Sequence, residues 1–147
     1  MTRHQFFGVT EHSKAAKHRL DDARALLKEQ RWRRAMYLGG YAIECLLMAK
    51  LMKMYHCRQL SDLENVLQAR GALSANATIF THQLEILIGL TQRLGQLWQH
   101  ADHWRSFTLV NRWVPAWRYS ADLSNRDDAD RFLCAVATVS QWIENNV

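Results

Sequence analysis

Three observations predict an all-α protein, a bundle of four principal helices. Apolar residues recur at helical spacing in four segments, and no segment alternates with the two-residue period of a strand. One of the four segments is apolar on nearly every side, which is typical of the central helix of a bundle or of a membrane span. The other three are amphipathic, so they can pack around it.

The segment Arg31–His56 is the predicted central helix. It lacks proline and is rich in leucine, methionine and alanine, which are strong helix formers. Glu44, Lys50 and Lys53 interrupt its apolar run well short of the ~18 uncharged residues that a membrane span needs. The sequence therefore predicts a buried helix in a soluble protein, with no membrane as a partner.

Two features inside this helix predict how it packs. The pair Gly39-Gly40 weakens the helix, so we expect it to allow the close approach of another helix backbone. Glu44 is a carboxylate on an otherwise apolar stretch, and burying it is costly unless a partner compensates for the charge. We expect Glu44 to be a buried structural residue, with a place at a ligand or partner surface as the alternative.

The first helix is predicted over residues 12–30, after an arm of residues 1–11. The brief connection to the central helix predicts that the two lie antiparallel. Ser61-Asp62-Leu63-Glu64 has the pattern of a capping box and predicts a short extra helix, which Gly71 ends. A loop over residues 71–80 should follow.

Thr81 is predicted to cap the third principal helix, whose end the sequence leaves open because Gly95 could interrupt it. Residues 105–123 contain the only proline and predict a long, aromatic-rich connection. Ser124-Asn125-Arg126-Asp127 has the pattern of a second cap and predicts the start of the last helix. We expect residues 1–147 to form a single domain.

The net charge of +5 is concentrated in the first part of the chain. Residues 1–58 carry 12 Lys/Arg and 5 Asp/Glu, whereas residues 59–147 carry 7 and 9. The densest basic cluster is Arg31, Arg33 and Arg34. Such a cluster suits the phosphates of a nucleic acid or nucleotide, although a solvated helix start is at least as common.

The cysteines predict a reducing compartment. Cys45, Cys57 and Cys134 are odd in number, far apart and not in a CxxC pair, which favours free thiols over disulfides or a zinc site. The first residues also lack the pattern of a signal peptide. We therefore expect a cytoplasmic protein.

The segment Tyr37–Leu47 (YLGGYAIECLL) resembles the second-helix signature of the HEPN family, the higher eukaryotes and prokaryotes nucleotide-binding domains. His82-Gln83-Leu84 with Leu87 resembles the His-x-Leu-x-x-Leu of that family's third helix, and Arg118-Tyr119 resembles an Arg-Tyr pair ahead of the last helix. The similarity spans roughly residues 12–145. It departs from the family at Met48, where relatives usually carry a lysine.

This resemblance implies a four-helix up-and-down bundle, commonly a homodimer, from defence or toxin–antitoxin loci, and often a minimal nucleotidyltransferase as partner. It implies that Arg118 and Tyr119 join the arginine cluster in binding RNA or a nucleotide. It also makes Arg118 the expected partner of Glu44. The leading hypothesis is a non-catalytic module that binds nucleic acid or a nucleotide, or pairs with a nucleotidyltransferase, without a cofactor.

The alternative is a metal-independent endoribonuclease. Ribonucleases of the family carry an arginine followed, after four to six residues, by a histidine, and Arg93 and His100 meet that spacing. In such a pair the histidine acts on the ribose 2′-hydroxyl or the leaving oxygen, and the arginine stabilises the phosphorane. A continuous helix would place the two on one face, about 10 Å apart along its axis. Leu94 replaces the polar residue usual in the family, which favours the binding module.

Two weaker signals lie in the same region. His100 and His103 have the i, i+3 spacing of metal ligands, but no third ligand is evident, so no metal is predicted. The aromatic residues of this part could stack on bases or pack beneath the connection: Trp98, Trp104, Trp113 and Trp117.

Overall fold

The computed structural model describes residues 9–119 and 124–147, and every regular element within these ranges is helical. This confirms the predicted all-α class for the described part of the chain. The elements are α1 (Val9–Lys28), α2 (Trp32–Met54), α3 (Leu60–Ala69), α4 (Leu84–Leu90), α5 (Leu94–Trp98), α6 (Ala101–Val110), a 3-10 helix (Pro115–Tyr119) and α7 (Arg126–Asn146).

The predicted central helix is α2, and its burial organises the fold. It is long and apolar enough to cross a membrane by length and composition alone, yet 72% of its most apolar window is buried inside the structure. The buried side chains of the other helices join those of α2 in one hydrophobic cluster. The helix is therefore covered by protein, as expected for a core helix.

The first two helices pack side by side and run antiparallel, as predicted. Arg19 of α1 lies over the ring of Tyr41 in α2, and Val9 lies near Lys53 across a shared groove. Residues 9–11, predicted as the end of the arm, instead form the first turn of α1. The rest of the predicted arm lies outside the described residues.

Several helices end in a left-handed residue that is not glycine. Gln30, His56 and Gln92 have φ angles of 62°, 57° and 62° after α1, α2 and α4, and only α3 ends at a glycine, Gly71. After α2, the amide of His56 donates to the carbonyl of Lys53, and that of Cys57 donates to Met52. These two hydrogen bonds satisfy carbonyls that the end of the helix leaves free.

The predicted third helix is three short helices, α4, α5 and α6. The first break lies at Gln92, not at Gly95, which is inside α5. Thr81 is not the cap, because Gln83 precedes the first helical residue and the Thr81 hydroxyl accepts a hydrogen bond from the amide of Gln83. Because α6 continues to Val110, the aromatic connection begins later than predicted.

Of the three predicted caps, the one before α7 is confirmed, and those at Thr81 and Ser61 are wrong. The side chain of Asn125 accepts a hydrogen bond from the amide of Asp128 at 2.9 Å and caps α7. The capping box at Ser61 does not form, because α3 already begins at Leu60. Glu64 accepts instead from the amide of Ile79 at 3.1 Å and ties the loop after α3 to that helix.

The glycine pair allows close packing inside the chain, but by side chains rather than by a second helix backbone. A Cβ at Gly39 would come within 2.6 Å of Leu133 in α7. A Cβ at Gly40 would overlap the indole of Trp113, whose Nε1 donates to the carbonyl of Tyr37 at 3.0 Å. The absence of a side chain at Gly40 therefore lets the aromatic connection lie directly on α2.

We predict that Gly40→Ala destabilises the protein by about 1–3 kcal/mol, the usual cost of overpacking, because the indole of Trp113 must move. Thermal unfolding followed by far-UV circular dichroism measures this change. Gly89→Ala is the matched control, since Gly89 is also helical but exposed, with no atom within 4 Å of the added carbon. It should stabilise slightly through helix propensity. Equal effects of the two substitutions would contradict the role of Gly40.

Candidate functional site

The start of α2 and the 3-10 helix meet at one end of the structure. The guanidinium of Arg33 lies 4.6 Å from the centre of the Trp117 ring, and that of Arg126, at the start of α7, lies 5.5 Å from the Trp32 ring. Both contacts have the geometry of cation–π interactions. We call this surface the arginine-rich end and define it by Arg31, Trp32, Arg33, Arg34, Trp117, Arg118, Tyr119 and Arg126.

The packing of Trp117 explains why these residues meet. Its ring contacts Phe132 of α7 edge to face, with 5.3 Å between centroids, so the 3-10 helix is fixed against the core. The first turn of α2, next to the 3-10 helix, contains no acidic residue, whereas Asp127 and Asp128 occupy the first turn of α7. The arginine-rich end thus carries five arginines and these two aspartates, a positive surplus.

Several of its side chains face solvent. Arg31, Arg34, Arg118 and Arg126 are exposed, and Tyr119 is 83% exposed. The guanidinium of Arg118 lies 5.7 Å from the centre of the Tyr119 ring. An exposed tyrosine beside an arginine presents an aromatic face and a positive charge to the same ligand.

Glu44 is buried, as predicted, but its partner is not Arg118. Only 5% of Glu44 is exposed, and its Oε1 lies 2.7 Å from Nδ1 of His82, in the segment before α4. His82 is about half exposed. Arg118 belongs to the arginine-rich end, so the prediction of this pair was wrong. The partner of this buried carboxylate is thus the half-exposed His82 rather than a buried arginine.

The second oxygen of this carboxylate is unusual. Oε2 of Glu44 is buried and has no hydrogen-bond partner among the described residues. Burial raises the pKa of Glu44, and the nearby His82 and Arg19 only partly oppose this effect. A buried acceptor without a donor costs free energy, so a donor brought close to this oxygen would stabilise it.

Glu44 lines a cavity of about 240 Å³ between α1, α2, α3 and the segment before α4. Tyr41, Met48, Leu60 and Phe80 supply its apolar lining, and His82 lies at its exposed side. Burial raises the pKa of the neighbouring Cys45 to about 11, so this thiol stays protonated at neutral pH and is a poor nucleophile. The cavity is suited to binding rather than to thiol chemistry.

An aromatic column joins the cavity to the arginine-rich end. Tyr37 and Tyr41 stack one helical turn apart with centroids 6.0 Å apart, and Trp113 lies 6.1 Å from Tyr37. Trp113 also meets His82 edge to face at 6.3 Å. Glu44 lies eleven positions after Arg33, which is about 16 Å along α2. The two sites thus lie along one side of the same helix.

Arg93 and His100 do not lie on one continuous helix. Each immediately precedes a different short helix, Arg93 before α5 and His100 before α6, so the argument from a shared helical face fails. Both are exposed, and the ring of His100 instead lies 5.1 Å from that of His103. Among the described residues, no cluster of three or more His, Cys, Asp or Glu could hold a metal ion.

The sequence missed several residues of these sites, among them His82, Arg19, Trp113, Trp32 and Arg126. His82 was noticed only as part of a motif, and neither Arg19 nor Trp113 was connected with Glu44 or with the glycines. One signal was present: Arg33, Tyr37, Tyr41 and Glu44 follow one another at intervals of four, four and three residues, which places them on one face of a helix.

No protein-family model matches the chain, and searches of curated proteins and of solved structures found no match either. The resemblance to HEPN domains therefore rests on the sequence motifs alone.

The pKa of Glu44 predicts a pH dependence of stability. Because the pKa is higher in the folded state than the usual 4.5, the folded protein binds this proton more tightly. The resulting stabilisation is complete below about pH 4.5 and is lost as the pH rises through the folded-state pKa. Glutamine does not titrate. The free energy of unfolding of Glu44→Gln should therefore increase relative to that of wild type as the pH rises from about 4.5 through the folded-state pKa of Glu44. Urea unfolding at a series of pH values measures this difference.

Glu29→Gln is the control, because Glu29 is exposed in the connection between α1 and α2. Its stability should follow the wild-type pH profile. If the free energies of unfolding of wild type and Glu44→Gln change with pH in parallel, burial of Glu44 does not cause the pH dependence of stability.

Proposed function

We propose that the protein is a non-catalytic HEPN-like module, a four-helix bundle in the sense of that family, that binds single-stranded nucleic acid at its arginine-rich end. The observation that carries the proposal is the contact of Arg33 with Trp117. This contact unites the arginine cluster of α2 with Arg118 and Tyr119, which the sequence separates by more than eighty residues.

The chemistry of this end fits a single strand better than a duplex. Proteins that bind single strands combine positive charge along the backbone with aromatic rings on which bases stack. Arg31 and Arg34 are exposed for phosphates, and Tyr119 is exposed for a base. Stacking tolerates any base, so this surface supplies affinity and little selectivity.

The proposal favours binding over ribonuclease activity. A catalytic arginine and histidine must converge on one phosphate, and Arg93 and His100 precede two separate helices. A homodimer and a nucleotidyltransferase partner belong to the proposal only through the resemblance to HEPN domains.

We predict that Arg31→Ala combined with Arg34→Ala weakens binding of single-stranded RNA of every sequence. It should also reduce the dependence of log affinity on log salt concentration by about 0.7 for each phosphate that the variant no longer neutralises. Fluorescence anisotropy of a labelled RNA at several salt concentrations measures both effects.

Tyr119→Ala should weaken binding by about 1–3 kcal/mol because a base can no longer stack there, with no loss of stability because the ring is exposed.

Lys14→Ala combined with Lys53→Ala is the matched control. It also removes two positive charges from exposed positions. These positions are near the start of α1 and near the end of α2, away from the arginine-rich end. Binding that depends equally on both pairs would show attraction by net charge alone. Absence of RNA binding by the wild type would contradict the proposed function.

The wild-type protein should leave single-stranded RNA intact in EDTA, because Arg93 and His100 precede two separate helices and so do not form the arginine–histidine pair of a ribonuclease. Denaturing gel electrophoresis after prolonged incubation tests this expectation. Cleavage that His100→Ala abolishes without lowering the melting temperature would instead identify a ribonuclease that uses this histidine.

A further inference from the structure

We propose that a groove between α1, α2 and α7 binds one long-chain carboxylate, a free fatty acid. The groove shares no residue with the arginine-rich end or with the Glu44 cavity, so this proposal is independent of the proposed function. Its volume of about 690 Å³ is within the usual range of small-molecule sites. Along α2 it extends from Ala42 to Lys53, eleven positions or about 16 Å.

The groove exists because α1 and α7 both pack on α2 but contact each other little. The side chains that border the gap between them are short: Ser13 and Ala16 on α1, Ala137 and Ser140 on α7. Such side chains cannot span the gap. One side of α2 therefore lies at the bottom of an open groove instead of being covered by its neighbours.

The lining of the groove suits a hydrocarbon chain. Its apolar residues come from all three helices: Val9 and Leu20 of α1, Ala42, Leu46 and Ala49 of α2, and Ala137 of α7. The residues of α2 are largely buried at the bottom, whereas Val9 and Leu20 are half-buried and Ala137 is exposed at the sides. A chain laid between these sides would remove apolar surface of both partners from water. With C–C bonds of about 1.5 Å, an extended chain of a dozen carbons spans about 14 Å and fits this length.

The charged groups of the groove favour an anion. Four cations and one acid line it: Lys17, Arg24, Lys50, Lys53 and Glu144. Nζ of Lys50 lies 3.1 Å from Oε2 of Glu144, so these two charges balance. Arg24 has an exposed ion pair with Asp21 at 3.9 Å. Lys17 and Lys53 are exposed and form no ion pair with the residues that the structure describes, so their positive charge is free for a ligand.

Lys17 and Lys53 belong to facing helices and incline toward the same part of the groove. A helical side chain inclines toward the N-terminus of its own helix. Because α1 and α2 are antiparallel, Lys17 inclines toward the end of the groove at Val9, and Lys53 inclines from that end toward its middle. A carboxylate placed between the two ammonium groups meets positive charge from both helices. Its chain then extends along α2 toward Ala42.

The combination of an apolar bottom with a positive edge separates this ligand from other anions. A nucleic acid strand would satisfy the lysines but would leave the apolar lining uncovered. A partner helix is about 10 Å across, so a stretch 16 Å long occupies about 1,300 Å³. That is nearly twice the volume of the groove, about 690 Å³. A single chain with one anionic head matches both the volume and the charge.

The first test titrates dodecanoate, decanoate and dodecyltrimethylammonium into the wild-type protein below their micelle concentrations. The backbone amide NMR signals of Leu20, Leu46 and Ala137 are the reporters. Dodecanoate should shift them, and the cation with the same chain should not. Each buried methylene strengthens binding by up to about fourfold, so decanoate should bind up to about 15-fold more weakly than dodecanoate.

The second test changes the head-group site and the chain site separately. Lys17→Met combined with Lys53→Met removes both ammonium groups and should weaken dodecanoate binding by roughly 3- to 30-fold while keeping the dependence on chain length. Lys14→Met combined with Lys28→Met is the matched control, because both lysines are exposed on α1 and neither lines the groove. Ala137→Phe places a ring in the groove from an exposed position, so it should abolish binding without lowering the melting temperature.

Three results would overturn the proposal: equal shifts with dodecanoate and the trimethylammonium compound, shifts that lie outside the groove, or equal effects of the two lysine pairs. An amphipathic peptide with leucines on one face and glutamates beside them tests a partner helix. If this peptide shifts the groove signals and dodecanoate does not, the groove is a protein-docking surface and the proposal fails. Single-stranded RNA should leave these signals unchanged, so the binding of RNA and the binding of dodecanoate can each fail without the other.

Discussion

The contact between Trp113 and Gly40 is the constraint on which the candidate sites depend. Because Gly40 has no side chain, the indole lies directly on α2 and donates its N–H to the carbonyl of Tyr37. This contact sets the position from which the 3-10 helix starts, two residues later at Pro115. From there Trp117 reaches Arg33 on one side and Phe132 on the other. One glycine thus positions both the arginine-rich end and the aromatic wall beside His82.

The second constraint is electrostatic. A carboxylate in a helix as apolar as α2 must be compensated, and burial alone raises the pKa of Glu44. A half-exposed histidine compensates it on one oxygen only, which leaves the other without a donor among the residues that the structure describes. The predicted arginine could have satisfied both oxygens through its two parallel N–H donors, whereas the histidine satisfies only one.

Patterns that act within a few residues were predictable, and those that depend on distant partners were not. The central helix followed from its composition and the cap at Asn125 from its own side chain. The capping box predicted at Ser61-Asp62-Leu63-Glu64 was wrong because α3 begins at Leu60, before the serine, and Glu64 instead accepts from the distant amide of Ile79. The sequence left the end of the third helix open with Gly95 as one candidate break, whereas the chain turns at Gln92, a non-glycine residue in the left-handed conformation that glycine usually adopts.

The candidate sites show the same division. The burial of Glu44 followed from its neighbours in the sequence, but its partner His82 is 38 residues away and reaches it through a loop. Arg31, Arg33 and Arg34 were selected by charge, and Arg118 and Tyr119 by motif. Their proximity depends on the contact of Trp117 with Arg33, which no spacing in the sequence reveals. Arg118 was misassigned to Glu44 because charge complementarity alone does not specify distance.

NMR mapping of the bound surface tests the proposed binding function most directly. Isotope-labelled protein would be titrated with a short single-stranded RNA while its backbone amide signals are followed. The account predicts that the largest shifts occur at residues 31–34 and 117–119 and that the signals of Lys14 and Lys53 do not shift. Shifts concentrated on another face, or no shifts at all, would contradict it.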